Sequence, residues 1–259
     1  SSCYQNPDFD TVKAKAGALT ILRDDLARKT RPAFISMGSM SDPYNPFEEE
    51  LELTRHALEL IDAYGCGVAA ATKSDLIVRD IDLYQFIQRH SPVICKLTVT
   101  TTDDARAAKI EPGAPSPSRR LAALKELAGA GIFSGVLLMP VLPWLEDSVE
   151  NVLSVAEAAA EAGARFVYPA FGVTMRDGQR EHFLNGLDQN RGWGRNTASG
   201  METGISAPVP ERGSCGNDFP NAAGSWGCCV RCALSFPLPP VDIRIGSSPF
   251  LTDFFPRCR

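Results

Sequence analysis

Residues 68–101 read VAAATKSDLIVRDIDLYQFIQRHSPVICKLTVTT, in which two apolar runs flank a longer mixed segment. The first run, 68–72, is short and is followed at once by polar residues, which indicates a buried strand. Residues 76–89 are predicted to form a helix, and residues 93–101 are rich in β-branched side chains, as strands are. A strand, a helix and a second strand in this order form a βαβ unit with parallel strands.

The same alternation extends to both sides of this stretch. A helix is predicted over residues 11–29, where apolar side chains recur at steps of three and four. Another follows Asn45-Pro46-Phe47-Glu48, with Asn45 as the cap and Glu48 returning a bond to it, and runs to about residue 64. The other predicted elements are strands at 33–37, 132–139 and 166–171 and helices at 118–130 and 149–162.

Apolar strands alternating with helices predict an α/β fold whose parallel sheet is covered on its outer face by helices. A doubly wound sheet and a (β/α) barrel share this pattern, and periodicity alone does not choose between them. The chain opens in a loop that leads to a helix, so we expect a strand that would precede this helix to be missing.

Composition limits the classes of partner. The 259 residues carry 26 Lys and Arg against 31 Asp and Glu, a formal net charge of -5 without a basic run, which does not favour nucleic acid or anionic lipid. The longest apolar run, 136–145, is about half as long as a membrane span and contains two prolines. We therefore expect a cytoplasmic protein that does not bind membranes.

Polar residues follow most of the predicted strands, at the ends where parallel α/β folds place their chemistry. Four of the five strand ends carry a hydroxyl, a lysine or a carboxylate suited to a zwitterionic ligand. Simpler interpretations stay open: Ser41-Asp42 as a turn, Ser74 or Asp75 as a helix cap, and Lys96 as a solvent-exposed side chain. The three histidines have no ligand partner at metal-site spacing, and no P-loop or dinucleotide fingerprint is present.

Several of these segments together resemble radical S-adenosylmethionine proteins of the spore-photoproduct-lyase-like branch. The resemblance covers residues 1 to about 189. It implies a partial (β/α)6 TIM-like barrel with a [4Fe-4S] cluster and S-adenosylmethionine at the top of the strands. The segments that carry it are SDPYNPFE at 41–48, ELTRH at 52–56, ATKSD at 71–75, PVICK at 92–96, IEP at 110–112, LMPVLP at 138–143 and YPAFG at 168–172.

The resemblance also implies a cofactor site. The segment that contacts the methionyl amine maps onto residues 38–42, with Ser41 and Asp42 as the contacts. Lys73 matches a lysine near the methionine carboxylate, and Thr98 or Thr100 matches a hydroxyl on the next strand. The apolar strand 135–140, which ends at Pro140, and the end of the following strand at Tyr168 would flank adenine. Flavodoxin or ferredoxin is the expected type of electron donor, and no catalytic residue is assigned.

The cluster motif of that family, C-x3-C-x2-C, is absent from this sequence. Three thiolates hold such a cluster, so the chain as given is expected to lack its cluster ligands and not to hold the cluster. We expect the chain to begin just after its own cluster loop. Cys3 does not resemble a cluster ligand, and Cys228 and Cys232 have the first spacing without the third cysteine.

Residues 190–259 differ from residues 1–189. They contain no lysine and hold five of the eight cysteines, all within the last 50 residues. Back-translation of 199–208 with a one-letter offset gives a string close to the ends of family members, and the unique Met and Trp codons agree with this offset. We therefore expect an irregular tail, read out of frame from near residue 190, in which the cysteines are not metal ligands.

Three functions are compatible with these patterns. The first is a radical enzyme, or a fragment of one, in which the cluster would cleave S-adenosylmethionine to a 5'-deoxyadenosyl radical that acts on an unknown substrate. The second is an aldolase-like barrel enzyme that uses Lys73 or Lys96 as a Schiff-base nucleophile. The third is a truncated gene product without activity.

Overall fold

The structure is a computed structural model that describes residues 15–39, 41–142 and 145–171. Its strands are β1 (Phe34–Met37), β2 (Gly67–Thr72), β3 (Val93–Thr98), β4 (Ser134–Val141) and β5 (Val167–Phe171). Its helices are α1 (Ala18–Ala27), α2 (Glu48–Leu51), α3 (Leu53–Ala63), α4 (Ile81–Gln88), α5 (Asp104–Ile110), α6 (Pro117–Gly129) and α7 (Val149–Glu161), with a 3₁₀ helix at Asp75–Asp80. The predicted tail at 190–259, with its shift of frame, and Cys3 lie outside the described residues.

The five strands form one parallel sheet in chain order, β1-β2-β3-β4-β5. A doubly wound sheet reverses its strand order at a switch point, and the described sheet has no such reversal. Because crossovers between parallel strands are right-handed, an unreversed order places the connecting helices on one face. The predicted α/β fold with a parallel sheet is confirmed.

The core lies between the sheet and these helices. Alternate residues of each strand face the helices, as in Val68 and Ala70 of β2 and Cys95 and Leu97 of β3, and all four are fully buried. Helices contribute Leu58, Ile61, Tyr84, Ile87, Leu124, Leu127, Val155 and Ala159 to the same cluster. The intervening residues, including Ala71, Lys96 and Thr98, lie on the opposite face, which we call the inner face.

The predicted helix from 48 to 64 is two helices. The chain breaks at Glu52, whose φ of 46° is left-handed, between α2 and α3. Asn45 does act at the start, since its Oδ1 accepts the Phe47 N–H at 3.1 Å. The predicted return bond from Glu48 is wrong: its buried carboxylate accepts the Thr54 N–H at 2.9 Å and pairs with Arg79.

Two further segments differ from the sequence prediction. The helix expected over 76–89 begins as a 3₁₀ turn, capped by the Ser74 hydroxyl, and becomes α-helical only at residue 81. Helix α5, which was not predicted, is capped by Asp103. Among the described residues, no helix is both long and apolar enough to cross a membrane.

Candidate functional site

The loop that follows β1 is fastened to the end of β2 by Asp42. Its carboxylate accepts the Thr72 hydroxyl at 2.5 Å, the Lys73 N–H at 2.8 Å and the Tyr44 N–H at 2.9 Å. A carboxylate has about four acceptor positions, so three are occupied by the protein itself. The turn interpretation of Asp42 is therefore correct, and the same side chain also joins two strand ends.

Gly38 allows this close approach. Its φ is 92°, a backbone conformation that side chains disfavour, and a Cβ there would lie 2.1 Å from the Ala71 carbonyl oxygen. The loop therefore runs directly against the end of β2. Ser41, in the same loop, is exposed.

The carboxyl ends of the strands form one edge of the sheet, which we call the rim. The side chain of Lys73 lies at this rim. Its ammonium forms a short ion pair with Glu111, and the side chain is 39% exposed, against 14% for Glu111. The other oxygen of Glu111 lies 2.7 Å from Nη2 of Arg120. Burial tends to raise the pKa of Glu111, but the two cations outweigh it and hold that pKa below its usual range. Glu111 is therefore an ionised link between two cations.

Arg120 connects this pair to the next strand. Its guanidinium is 1% exposed and donates to the carbonyl oxygens of Pro115 at 2.7 Å and Thr98 at 2.9 Å. A guanidinium carries five donors in a fixed fork, so one side chain can hold three acceptors in place. Helix α6 thus fixes the carboxyl end of β3 relative to Glu111 and Lys73.

The two candidate threonines of β3 and its following segment are not equivalent. The hydroxyl of Thr100 donates to the buried carboxylate of Glu146 at 2.5 Å. The hydroxyl of Thr98 makes no hydrogen bond to a residue that the structure describes, although Thr98 is buried. Of the two, Thr98 is the one whose hydroxyl has no partner among the described residues, and the strand register places it level with the residue after Thr72.

Glu146 forms a second buried group next to the rim. It is 2% exposed and also accepts the Leu142 N–H at 3.2 Å, while its carbonyl oxygen accepts the Asn151 amide at 2.8 Å. Burial, assisted by the negative charge of Glu111, raises the pKa of Glu146 despite the Thr100 hydrogen bond. No pattern in the sequence singled out Glu146, because its partner Thr100 is 46 residues away.

The residues proposed to flank adenine lie on the next two strands. The strand register aligns Thr98 with Leu137 of β4, and Leu137 with Tyr168 of β5. Tyr168 is 40% exposed, and Pro140 lies half-buried within an irregularity of β4 between Leu138 and Val141. Tyr168 therefore shares a row of the sheet with Thr98.

The structure thus brings Asp42, Lys73 and Thr98 together at the carboxyl ends of three adjacent strands. Ser41 belongs to the same loop, whereas the Thr100 side chain is engaged elsewhere. Glu111 lies in the segment 110–112 that carries the family resemblance but had no predicted role, and neither Arg120 nor Glu146 was predicted as a site residue.

The described residues do not fit an iron–sulfur cluster. They contain no group of three or more His, Cys, Asp or Glu side chains that could hold a metal ion. Cys66 and Cys95 are both buried, and burial raises the pKa of the Cys95 thiol, which disfavours the thiolate that a cluster needs. His56 and His90 instead contact Glu59 and Asp62 at the surface.

Three proteins illustrate the sequence relatives of this chain. It is 31% identical over 179 residues to the uncharacterized protein Rv2578c of Mycobacterium tuberculosis, covering 68% of this chain and 52% of that protein. It is 36% identical over 132 residues to the uncharacterized protein MJ0683 of Methanocaldococcus jannaschii, covering 51% and 49%. A third, ORF301 of Acidianus two-tailed virus, is 28% identical over 153 residues, covering 56% and 50%. The chain spans about half the length of these relatives.

A comparison with protein-family models gives no match. Among solved structures, a mutant of spore photoproduct lyase matches with a TM-score of 0.50 at 16% identity, over 67% of this chain and 51% of that one. A second mutant of the same enzyme gives a TM-score of 0.49. The first match shows that the described region shares its fold with part of spore photoproduct lyase, which confirms the expected resemblance at the level of fold.

Proposed function

We propose that this chain is the core of a radical S-adenosylmethionine enzyme and that it binds S-adenosylmethionine at the carboxyl ends of β1, β2 and β3. The observation that carries the proposal is the junction of Asp42, Lys73 and Thr98 at one rim. The fold shared with spore photoproduct lyase and the motifs of residues 38–48 and 71–75 support it. The finer architecture that we propose is a partial (β/α)6 barrel, of which the described strands form five.

Lys73 and Thr98 would bind the methionine carboxylate. An ammonium has three donors, and the ion pair with Glu111 uses one of them. Thr98 adds a hydroxyl without a described partner. Charge-assisted hydrogen bonds of this kind are the stronger ones in proteins, so this pair suits a carboxylate better than a neutral group.

Glu111 would position Lys73. In the absence of a ligand it neutralises the ammonium, and Arg120 holds its other oxygen. When Lys73 turns towards a ligand carboxylate, Arg120 still balances the charge of Glu111. The ion-pair chain therefore lets Lys73 exchange partners without leaving a buried carboxylate unpaired.

Asp42 would act mainly by shaping the loop at 38–42. Three of its acceptor positions are filled, so it holds the loop where Ser41 and backbone carbonyls face the methionyl amine. Pro140 and Tyr168, on β4 and β5, would flank the adenine. We propose all of these residues as binding and positioning residues.

The radical chemistry belongs to the whole protein. S-adenosylmethionine supplies the 5'-deoxyadenosyl group, and its cleavage needs an electron from a cluster that the described residues do not fit. We assign no reaction step to these residues, and the substrate and the electron donor, of the flavodoxin or ferredoxin type, remain proposals for the whole protein.

The Schiff-base alternative now rests on one lysine. The Lys73 side chain forms an ion pair with Glu111, which engages the nitrogen that would have to attack a carbonyl group. Lys96 has no such partner among the described residues, so it is the better candidate for an aldolase-like reaction. Borohydride reduction in the presence of a carbonyl compound separates this alternative from cofactor binding.

Equilibrium dialysis of S-adenosylmethionine against the full chain tests the proposal. We expect Lys73→Met to weaken binding by roughly 10- to 150-fold, the equivalent of about 1.5 to 3 kcal/mol for a hydrogen bond to a charged group. Lys125→Met is the matched control, because Lys125 is exposed on α6 and lies away from the rim. Equal binding by both variants, or no binding by the unaltered chain, contradicts the proposal.

A further inference from the structure

Lys96 lies in the middle of β3 on the inner face of the sheet. Its neighbours in sequence, Cys95 and Leu97, are fully buried against the helices, so the Lys96 side chain leaves the strand on the other side. Lys96 is half-buried. The alternative of a solvent-exposed side chain, left open by the sequence, is therefore met only in part.

The described residues beside Lys96 on the two neighbouring strands are small and have no polar side chain. The register places Ala71 of β2 on one side of it and Gly135 of β4 on the other, and neither has a polar side chain. The ring and carbonyl of Phe166 lie against Gly135, where a Cβ would come within 2.5 Å of the carbonyl oxygen. The Phe166 ring therefore occupies the space over Gly135, on the β4 side of Lys96.

No described residue compensates the charge of Lys96. It makes no hydrogen bond or ion pair within the part of the chain that the structure describes, in contrast to Lys73, which has Glu111. Burial lowers the pKa of Lys96, and the neighbouring Cys95 opposes this effect only in part. A partly desolvated cation without a partner is unfavourable, and an anion placed beside it removes that cost.

We infer that Lys96 is the anchor of an anion site on the inner face, and that it takes a carboxylate or phosphate group of the substrate. The inference rests on the proposed function, because it assigns a substrate class to the same barrel. Lys96 is two residues before Thr98 on the same face, so the anion would lie about 7 Å along the strand from the cofactor rim. A small anionic molecule could then extend from Lys96 towards that rim.

Competitive labelling of lysines in the full chain tests the inference. The chain is treated with a trace of an acylating reagent, and the rate at each lysine is measured by mass spectrometry. We expect inorganic phosphate, and acetate in a parallel series, to slow the acylation of Lys96, by roughly threefold when the anion is at twice its dissociation constant. Potassium chloride at the same ionic strength should not slow it.

Lys29 and Lys125 are internal controls, because both are exposed. Protection of Lys96 alone supports the site, and the two series show whether phosphate or carboxylate is preferred. An unchanged acylation rate at Lys96 overturns the anion site. Protection of Lys29 and Lys125 to the same extent as Lys96 also overturns it. Trapping of pyruvate on Lys96 by borohydride would also overturn it, because it assigns a covalent role instead.

The same experiment distinguishes failure of this inference from failure of the proposed function. S-adenosylmethionine should protect Lys73 and leave Lys96 reactive. Phosphate protection of Lys96 without cofactor protection of Lys73 would contradict the proposed function but leave the anion site standing. Cofactor protection of Lys73 without anion protection of Lys96 would support the proposed function and overturn the anion site.

Discussion

Arg120 and Glu111 form a buried ion pair, with Nη2 of the guanidinium 2.7 Å from Oε2 of the carboxylate. The pair joins helix α6 to the loop after α5, and through Lys73 to the end of β2. It is therefore a structural support of the rim at which we propose that the cofactor binds.

Replacing Arg120 should destabilise the fold strongly. Arg120→Met removes the donor of Glu111 and of the Thr98 carbonyl oxygen; because Glu111 keeps its ion pair with Lys73, we expect a loss of about 3 kcal/mol, the low end of the range for breaking a buried pair. Arg119→Met is the control, because Arg119 pairs with Asp75 from a side chain that is 65% exposed, and such surface pairs contribute about 0 to 1 kcal/mol. Urea unfolding measures both, and equal losses would contradict the role of the buried pair.

Asp42→Asn should loosen the loop between β1 and α2. The Thr72 hydroxyl and the N–H groups of Tyr44 and Lys73 donate three hydrogen bonds to the carboxylate. The amide presents only one acceptor oxygen, so not all three hydrogen bonds can form. We expect a loss of about 1.5 to 3 kcal/mol and faster hydrogen exchange at the Lys73 amide. Asp25→Asn, at an exposed pair with Arg28, should change little. A Lys73 amide that stays protected would show that Asp42 does not fasten the loop.

Gly38→Ala tests the close approach of this loop to β2. The methyl group would meet the Ala71 carbonyl oxygen, and the positive φ adds backbone strain. Gly113 provides the matched control, since it also has a positive φ, of 86°, but a Cβ there meets nothing within 4 Å. Thermal unfolding should therefore show a clearly larger loss for Gly38→Ala than for Gly113→Ala.

Glu146 should make stability depend on pH. Because its pKa is raised in the folded state, its favourable contribution is full below the unfolded value of about 4.3 and is lost as pH rises through the folded pKa. Glu146→Gln cannot ionise, so its stability relative to the unaltered chain should increase from pH 4 to pH 8. Glu126→Gln, at an exposed position, should show no such trend. A difference for Glu146→Gln that does not vary with pH would contradict the assignment.

The sequence was sufficient for the parallel strands, because the run 68–72 is mostly apolar and the run 93–101 is rich in β-branched residues. It was insufficient where tertiary contacts overrode local signals. Glu48 carries the pattern of a capping box, yet Thr54, Arg55 and Arg79 supply its donors, and the helix breaks at Glu52.

The family resemblance selected Lys73 and Thr98 or Thr100, and the rule that parallel strand ends share one edge of the sheet predicted that they lie close together. The supporting side chains could not be found in this way. Arg120 reaches the rim from the first turns of a helix, and Glu146 reaches Thr100 across 46 residues. Such contacts depend on how helices pack on the sheet, which sequence spacing does not specify.

The most direct test of the cofactor site compares S-adenosylmethionine with its decarboxylated analogue, which lacks only the group proposed to contact Lys73 and Thr98. In equilibrium dialysis against the full chain, we expect the carboxylated compound to bind roughly tenfold or more tightly, from the usual strength of a hydrogen bond to a charged group. Lys73→Met should abolish this preference and Lys125→Met should preserve it. Equal binding of the two compounds by the unaltered chain, or a preference that survives in Lys73→Met, would contradict the account.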